Sequence, residues 1–485
     1  MLQSRRPITA MSVPFRLGIV LVATALAASS EPVDWSGFRG PNAAGVAEGR
    51  PLPDKLDPQA NALWRTPLPP GSSSPALTGD RIYMTAYEGE QLLTFALDRE
   101  TGRALWKRAI ERPRQEQTHA LNNPASATPT TDGENVFAFF GDFGLVSYGP
   151  DGEERWRRPL GPFHNLHGMA SSPILADGKL IVVCDQDLDS FVMAVDPDNG
   201  ETVWKTERPE VVHGFATPTL FEPREGPVQL IVPGSYQLTS YELSSGKKLW
   251  WVRGITWQIK TAAVVDADTV YMTGWAPGAD AATRKYFPPF EEVAKIADAN
   301  HDGKLSPEEI PVEMRHTGSW RAIDLDQDGF MNNRDWSFYR ARWSSVNRTL
   351  AVKPGSARGD LTETHVLWDY DRSVPVVSSP LLYHGALHTI KDGGILTSFE
   401  PATGKVLFQG RLRDAIDKYY ASPVGGDGKV YLVSETCKVS VLRAEAPFEP
   451  MATTTIGEAC YATPAIADGV MYVRTGKELM AFRGE

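Results

Sequence analysis

Short apolar runs alternate with turn residues along most of the chain, and this pattern repeats. One recurring unit is a turn that ends in glycine and is followed four residues later by an aromatic residue. It occurs at Gly102/Trp106, Gly152/Trp156, Gly200/Trp204, Gly246/Trp250 and Gly404/Phe408. Glycine allows the positive φ of a tight hairpin, and an aromatic ring at a fixed distance from it can wedge between neighbouring sheets. The pattern predicts a repeated antiparallel hairpin.

A second unit marks a different strand of the same repeat. It consists of Ser or Thr before Pro, a short apolar run, a turn and a β-rich run. It begins at Ser74, Thr128, Ser172, Thr217, Ser379, Ser422 and Thr463, and an eighth copy at Ala262-Ala263 lacks the proline. The spacing, about 41–54 residues where copies are adjacent, is that of a four-stranded propeller blade. The eighth copy is followed by a gap long enough for one repeat plus an insertion of about 70 residues.

The two ends of the repeated region complement each other. Residues near 63–67 form a Trp-bearing strand with no strands of their own before it, and Glu478–Phe482 has no Trp-bearing strand after it. Pairing these ends would complete the last blade and remove exposed sheet edges. The sequence therefore predicts an all-β fold, an eight-bladed β-propeller with a small α-helical insertion. Two unrelated sandwiches would explain neither the period nor the matched ends.

The Asp-x-x-Thr-Gly-x-x-x-Trp repeats resemble those of the PQQ-binding-like, or quinoprotein dehydrogenase-like, β-propellers. The opening Trp35–Asn42 and the stretch Leu249–Gly254 resemble one bacterial branch, which comprises exported PQQ-binding-like repeat proteins. The resemblance covers nearly the whole mature chain. It implies the fold and does not by itself assign an activity.

The insertion contains two acidic segments with the spacing of an EF-hand pair. The ligands expected in the first loop are Asp298, Asn300, Asp302, Lys304 (by its carbonyl), Ser306 and Glu309. Those expected in the second are Asp324, Asp326, Asp328, Phe330 (by its carbonyl), Asn332 and Asp335. Calcium takes six to eight such hard oxygens, and the glycine at the sixth position of each loop allows the sharp turn. Helices are expected over residues 290–297 and 307–314.

The two loops are not equivalent, because Asp335 stands where the first loop has Glu309. The shorter side chain makes bidentate closure harder, so the second calcium site is expected to be weaker. In an exported protein the pair would act as a structural clamp, with Trp320 and Trp336 packing its core or docking it on the propeller. The alternative interpretation is a pair of solvated acidic loops without a metal.

The first residues indicate export. Arg5, Arg6 and Arg16 precede an apolar run over residues 17–27, which predicts a cleaved secretory signal over residues 1–30. No cysteine lies near the expected cleavage site, so a periplasmic or secreted protein without a lipid anchor is expected. The remaining organisation is blades one to five (first part) over 31–275, the EF-hand pair over 276–343, and the rest of blade five to blade eight over 344–485. No later segment resembles a transmembrane helix.

The net charge of −11 argues against nucleic acid as a partner, because phosphate binding needs a basic face. The chain has three cysteines, Cys184, Cys437 and Cys460, so one intramolecular disulfide at most is possible. Alternating strand direction brings the turns that carry Cys437 and Cys460 to one face, where they could reach bonding distance. The competing interpretation is three buried thiols. In either case Cys184 is expected to be unpaired.

Loops that lead into the innermost strands of a propeller gather around its axis. The residues before each Ser/Thr-Pro unit therefore form the candidate ligand-binding funnel, namely His119, His164, His167, His213, Trp257, Lys260, Arg372 and Tyr420. Histidine, lysine, arginine and tyrosine together suit an anionic or sugar-like ligand, or a transition metal. The alternative is that some of them only cap strands or bond loop carbonyls.

Three functions are weighed against this set. A non-catalytic binding or assembly scaffold for a protein or polysaccharide resembles the propeller of the outer-membrane protein assembly machinery. An oxidoreductase of the PQQ-dependent type would, by the family resemblance, need carboxylates around a calcium ion and often carries an adjacent-cysteine ring. No two cysteines of this chain are adjacent, and the candidate funnel set contains no carboxylate pair. PQQ is therefore not expected here. A hydrolase or lyase would need a His/carboxylate or metal site, which only His167 and His213 suggest. The scaffold is the function expected.

Overall fold

The computed structural model describes residue 1 and residues 35–484, so the predicted secretory signal lies outside the described part. Strand β1 (Ala62–Pro67) comes first in the chain. The first four blades contain β2–β5 (Ala76–Leu77, Arg81–Glu88, Gln91–Asp98, Ala104–Glu111), β6–β9 (Thr130–Thr131, Val136–Phe140, Gly144–Tyr148, Glu154–Pro159), β10–β13 (Ile174–Ala176, Lys179–Cys184, Phe191–Val195, Thr202–Glu207) and β14–β17 (Thr219–Phe221, Gln229–Gly234, Gln237–Glu242, Lys248–Arg253).

Blade five contains β18 (Val264–Val265), β19 (Val270–Gly274), β20 (Arg348–Val352) and β22 (Val366–Tyr370), while β21 (Gly359–Asp360) pairs parallel with β17. Blades six, seven and eight contain β23–β26 (Leu381–Tyr383, Ala386–Lys391, Ile395–Phe399, Val406–Arg411), β27–β30 (Val424–Gly426, Lys429–Val433, Lys438–Arg443, Pro450–Thr455) and β31–β33 (Ala465–Ala467, Val470–Arg474, Glu478–Arg483). The eight antiparallel sheets confirm the predicted eight-bladed propeller.

Strand β1 completes the eighth blade, as the matched ends of the sequence predicted. It pairs antiparallel with β33, with Trp64 opposite Ala481 and Pro67 opposite Glu478. The guanidinium of Arg65 lies 2.6 Å from the Glu478 carboxylate across this pair. The first strand is thus hydrogen-bonded to the last, and no long unpaired edge is left between the ends of the repeated region.

Each glycine turn receives the tryptophan of the preceding blade. Gly102 has a φ of 70°, and a Cβ placed on it would lie 2.4 Å from the ring of Trp64. Glycine is required there both for the left-handed backbone and for the flat contact with the indole. Equivalent contacts join Gly152 to Trp106, Gly200 to Trp156, Gly246 to Trp204 and Gly404 to Trp368. The aromatic residue therefore holds the next blade, not its own hairpin.

A belt of hydroxyl groups surrounds the propeller axis. In seven of the eight repeats the backbone N–H of the Ser/Thr-Pro position donates to the corresponding hydroxyl of the next blade, at 3.0–3.2 Å. The donor and acceptor pairs are Ser74/Thr128, Thr128/Ser172, Ser172/Thr217, Ala262/Ser379, Ser379/Ser422, Ser422/Thr463 and Thr463/Ser74. Position 262 is alanine, so Thr217 has no hydroxyl to reach in blade five.

Residues 35–56 lie across the end of the propeller opposite the funnel loops. Fully buried Trp35 pairs with Leu77 of blade one, and Arg39 donates to the carbonyl of Pro380 in blade six at 2.7 Å. Further bonds reach blades two, four and seven through Ser36, Asn42 and Val46. Burial lowers the pKa of Arg39 to about 9. The segment that carries the family resemblance therefore seals the base of the axial channel.

The insertion lies between β19 and β20 and has its own small core. It contains α1 (Phe290–Ala297), α2 (Asn333–Ser344) and the 3₁₀ turns Ala281–Thr283, Val312–Met314 and Trp320–Ala322; a further 3₁₀ turn, Pro41–Ala43, belongs to the base segment. The helix expected over 307–314 is wrong except for its last turn, because Pro311 lacks the N–H that a continuous helix needs. Trp336 is fully buried in the insertion core and Trp320 packs beside it, which confirms core packing for both.

The sulfurs of Cys437 and Cys460 are bonded, and Cys184 is buried and unpaired. The bridge therefore joins blade seven to the loop that enters blade eight. In the described part of the chain, no helix is long and apolar enough to cross a membrane.

Replacing Thr463 by Val tests the hydroxyl belt without changing side-chain volume. The buried N–H of Ser422 would lose its acceptor, which should cost about 1–3 kcal/mol in chemical denaturation. The reverse change, Ala262→Ser, supplies the missing acceptor to Thr217 and should leave stability unchanged or raise it by up to about 1 kcal/mol. Equal losses in both variants would show that cavity packing, and not the belt, sets the cost.

Thiol counting on denatured, unreduced protein should find one free thiol. Because the bridge closes a loop with a separation of 23 residues, its reduction should lower stability by about 3 kcal/mol. A variant with alanine at both Cys437 and Cys460 should be insensitive to reductant. Three free thiols in the oxidised protein would contradict the bridge.

Candidate functional site

A cavity of about 710 Å³ lies on the propeller axis, and we call it the funnel. Its wall includes belt hydroxyls from seven repeats, and Phe38 of the base segment lies among its lining residues. Since the base segment covers the other end of the channel, the funnel is reached from the loop face. A ligand would therefore enter from the loop face and remain partly exposed there.

Aromatic rings form much of the funnel wall. The lining includes Phe215, Trp257, Trp275, Tyr420 and Tyr461. The rings of Tyr420 and Tyr461 lie 5.5 Å apart on one side. Flat rings around a polar belt suit a ligand that has apolar faces and a few polar groups at its end.

The charge of the funnel comes mainly from Lys260. Its Nζ donates to the carbonyl of Trp275 at 3.0 Å, and burial lowers its pKa to about 8, so it is mostly protonated at neutral pH. His167 lies edge-on to His119 at 5.3 Å. The pKa of His167 is lowered to about 4, mainly by burial and to a smaller degree by the nearby His213, His119 and Lys260. Among the described lining residues there is no aspartate or glutamate, so the funnel is positively charged inside an acidic protein.

The structure brings five of the eight predicted funnel residues together: His119, His167, Trp257, Lys260 and Tyr420. Three lie elsewhere. His164 borders a small neighbouring cavity, Arg372 is exposed and absent from the described funnel wall, and His213 is buried behind Trp257 with their rings 5.9 Å apart.

Two acidic residues beside the funnel escaped the sequence analysis. Asp187 lies 2.5 Å from Nδ1 of His213, and Asp185 forms a buried ion pair with Arg208 at 2.7 Å. Both follow directly after the buried strand β11, and polar residues at the end of an apolar strand were the available signal. The Nε2 of His213 is buried without a hydrogen-bond partner, and neither His213 nor Asp187 is among the described lining residues of the funnel. The Asp187–His213 pair therefore supports the wall and is not presented to a ligand.

The insertion forms part of the rim of the funnel. Arg342 of α2 lies with its guanidinium carbon 3.8 Å from the ring centre of Trp257, and Phe338 contacts Tyr236 with ring centres 5.6 Å apart. Ser319 and Ala322, which precede the second acidic loop, line the funnel directly. Sequence spacing placed the insertion in blade five but gave no sign of this contact.

The second acidic loop gathers carboxylates, while the first does not to the same degree. Ligand oxygens of Asp324, Asp326 and Asp328 lie within 4.8 Å of one another, and theirs is the single such acidic group in the described residues. Asp324 is 3% exposed, and its Oδ1 has no hydrogen-bond partner. Its Oδ2 accepts from the backbone N–H of Gly329 at 2.9 Å, but a buried carboxylate oxygen without a partner is costly unless a cation offsets it. Burial accordingly raises the pKa of Asp324.

The remaining predicted ligands lie in loops closed by backbone bonds. In the first loop Gly303 donates to Asp298 at 3.0 Å, and Ser306 donates to Glu309 at 2.9 Å. In the second, Asp335 accepts from Leu325 and caps α2 together with Asn332. The two loops meet in a short antiparallel bridge between Leu305 and Met331. Lys304 and Phe330 stand beside this bridge with their carbonyls at the seventh loop position, and Asn300, Asp302 and Ser306 complete the first loop.

Comparison with known proteins identifies the repeat. Residues 55–187 match the model of a family described as outer membrane protein assembly factor BamB. The chain carries the PQQ-like β-propeller repeat. No curated protein matches it.

Solved structures share the propeller fold at low identity. BamB from Moraxella catarrhalis aligns with a TM-score of 0.52 and 11% identity, over 86% of this chain and 99% of that one. A europium-containing methanol dehydrogenase aligns with a TM-score of 0.58 and 8% identity, over 92% and 98%. The quinohemoprotein alcohol dehydrogenase from Comamonas testosteroni aligns with a TM-score of 0.55 and 11% identity, over 93% and 80%. These likenesses establish the fold of this PQQ-like propeller and leave its activity open.

The quinone that such neighbours suggest can be tested against the funnel. Its aromatic walls and Lys260 would suit a flat anion, but the described lining offers no carboxylate to hold a metal ion beside it or to act as a base. The disulfide joins cysteines 23 residues apart and not an adjacent pair. The described funnel wall therefore does not supply the donor set expected for quinone chemistry.

Proposed function

We propose that this PQQ-like propeller is an exported, calcium-binding scaffold that holds an acidic segment of a partner protein in its funnel without catalysing a reaction. The observation that carries the proposal is the one-ended, aromatic-walled funnel with a half-buried lysine and no carboxylate in its described wall. A buried ammonium group is stabilised by an anion that enters with it, and aromatic walls accommodate the apolar neighbours of that anion.

The family match supports a protein as the partner, because the matching family is described as an assembly factor. The net charge of −11 would repel an acidic partner at most of the surface, so the positively charged funnel would be the point of attachment. Binding would then depend on a few buried contacts rather than on general attraction. An exported polysaccharide, the other ligand expected from the sequence, is an alternative outcome of the test below.

The two acidic loops are proposed to bind calcium. Asp324 supports the second site, since one of its oxygens lies near two other carboxylates and its buried Oδ1 lacks a hydrogen-bond partner. The twelve-residue spacing and Glu309 support the first site, where a longer carboxylate can close the shell. The second site remains the weaker one in this proposal, because Asp335 also accepts bonds that hold the start of α2.

Matched substitutions at the first loop position test both cation sites. Asp298→Asn and Asp324→Asn should each remove one site in a terbium luminescence titration. Calcium at a hundredfold excess over its Kd should raise the stability of the wild-type protein by about 2.7 kcal/mol per site in thermal or chemical unfolding.

Unfolding measured in the presence of a chelator distinguishes a role of Asp324 as a metal ligand from a structural role. Without calcium, Asp324→Asn should be at least as stable as the wild-type protein, because the amide removes a buried negative charge whose Oδ1 has no hydrogen-bond partner. With calcium it should be the less stable of the two. A variant that is destabilised equally in chelator and in calcium would show that Asp324 serves the fold and not a cation.

Binding of a blocked Phe-Glu-Phe-Glu peptide tests the funnel. Replacing both Glu residues of the peptide by Gln should reduce its affinity in calorimetry by about tenfold, which corresponds to roughly 1.4 kcal/mol. Replacing Lys260 by Met in the protein should reduce the affinity for the Glu peptide by a similar factor. Because the Lys260 pKa is about 8, peptide affinity should fall as the pH rises through that value, and this fall should be absent in Lys260→Met.

Lys205→Met is the matched control, since Lys205 also lies over an aromatic ring, 4.3 Å from the centre of Phe191, but outside the funnel. Its peptide affinity should equal that of the wild-type protein. Equal binding of the Glu and Gln peptides, or binding of a neutral oligosaccharide but neither peptide, would overturn the acidic-segment proposal.

A further inference from the structure

The second acidic loop contacts the funnel wall through the side chain of Leu325. Leu325, between the first two carboxylates of that loop, is 3% exposed. It does not join the core of the insertion but packs with Val212, Tyr236 and Trp257 of the propeller. The corresponding residue of the first loop, Ala299, is exposed. The two loops, alike in sequence pattern, therefore have different surroundings.

The helix that follows the second loop touches the same wall. Asp335 accepts from the backbone N–H of Leu325 at 3.1 Å and from that of Asn332 at 3.1 Å, so it ties the start of the loop to the start of α2. One side of α2 then places Phe338 on Tyr236 and Arg342 on Trp257. The loop and the helix thus hold the funnel wall from two adjacent points.

Trp257 is where these contacts meet the ligand site. It is 4% exposed, lines the funnel, and donates from its indole N–H to the carbonyl of Pro277 at 3.0 Å. Its ring faces His213 on one side and receives Arg342 on another. Lys260 follows three residues later in the same loop. A shift of Leu325 or α2 would therefore change the wall that a ligand contacts.

From this arrangement we infer that cation binding in the second loop and ligand binding in the funnel are linked, with Leu325 and α2 carrying the effect to Trp257. The inference rests on the proposed function and adds its regulation. A cation drawn between Asp324, Asp326 and Asp328 fixes the loop in the shape that seats Leu325, so the filled loop favours the formed wall. The first loop has no such contact and contributes to the stability of the insertion alone.

Linkage requires that each ligand strengthen the other by the same factor. The blocked Phe-Glu-Phe-Glu peptide should bind at least about fivefold more tightly in calcium than in chelator, within the usual range of such coupling. In an Asp298→Asn background, where terbium reports on the second loop alone, the peptide should raise terbium affinity by the same factor.

Leu325→Ala gives the second loop the residue that the first loop carries at this position, and it leaves every proposed metal ligand in place. This variant should still bind terbium. The effect of calcium on peptide affinity and the effect of the peptide on terbium affinity should both fall towards a factor of one. Ile296→Ala removes an aliphatic side chain of similar size from the exposed surface of α1 and should retain the full coupling.

Hydrogen exchange with calcium alone supplies a readout that needs no peptide. In the wild-type protein calcium should slow backbone exchange at residues 255–262 as well as in the loops, and in Leu325→Ala only in the loops. If the second loop fills with terbium but neither exchange at 255–262 nor peptide affinity changes, the linkage is overturned. Failure of the peptide to bind under any condition, with calcium still protecting 255–262, would refute the proposed ligand and leave the linkage standing.

Discussion

A ring of eight sheets is stable only if every blade is held to the next, and the hydroxyl belt does this closest to the axis. Each bond joins a backbone N–H of one inner strand to the side chain of the following one, so the belt satisfies buried donors that no ladder can reach. Farther from the axis, the tryptophan–glycine contacts also join each blade to the next. Strand β1 lets the tryptophan–glycine series continue from blade eight to blade one, because Trp64 meets Gly102 there. The belt closes at the same junction through the N–H of Thr463 and the hydroxyl of Ser74.

The single break in the belt coincides with the blade that carries the insertion. Blade five has Ala262 where the other repeats have a hydroxyl, and its second and third strands are separated by residues 275–347. Blade five lacks one belt hydrogen bond, but it gains contacts from the insertion, because α2 packs on the rim beside Trp257. The ring is therefore least regular where the proposed ligand and the proposed cation lie nearest each other.

The two ends of the propeller axis differ because one of them is covered by residues 35–56. Residues 35–56 bond to blades on several sides of the ring and hold Arg39 in complete burial without an acidic partner, which its lowered pKa reflects. The other end stays open and carries Lys260, whose pKa burial also lowers. Both groups become easier to charge when an anion is near, but the described cavity gives an entering ligand access to Lys260 only.

The repeat, the number of blades and the closing strand could all be predicted from the sequence, because each rests on local patterns with fixed spacing. Turn glycines and alternating strands have the same structural role wherever they occur in a fold, whereas the twelve-residue spacing of the acidic loops remains a prediction of calcium binding. It also brought five funnel residues together correctly, since loops at equivalent positions of a propeller converge. The folded chain was needed to show that His213 is buried beside Trp257, that Asp187 contacts His213, and that Leu325 packs on the propeller and not in the core of the insertion. Those choices depend on which surfaces bury each other across distant parts of the chain, and no local spacing encodes that.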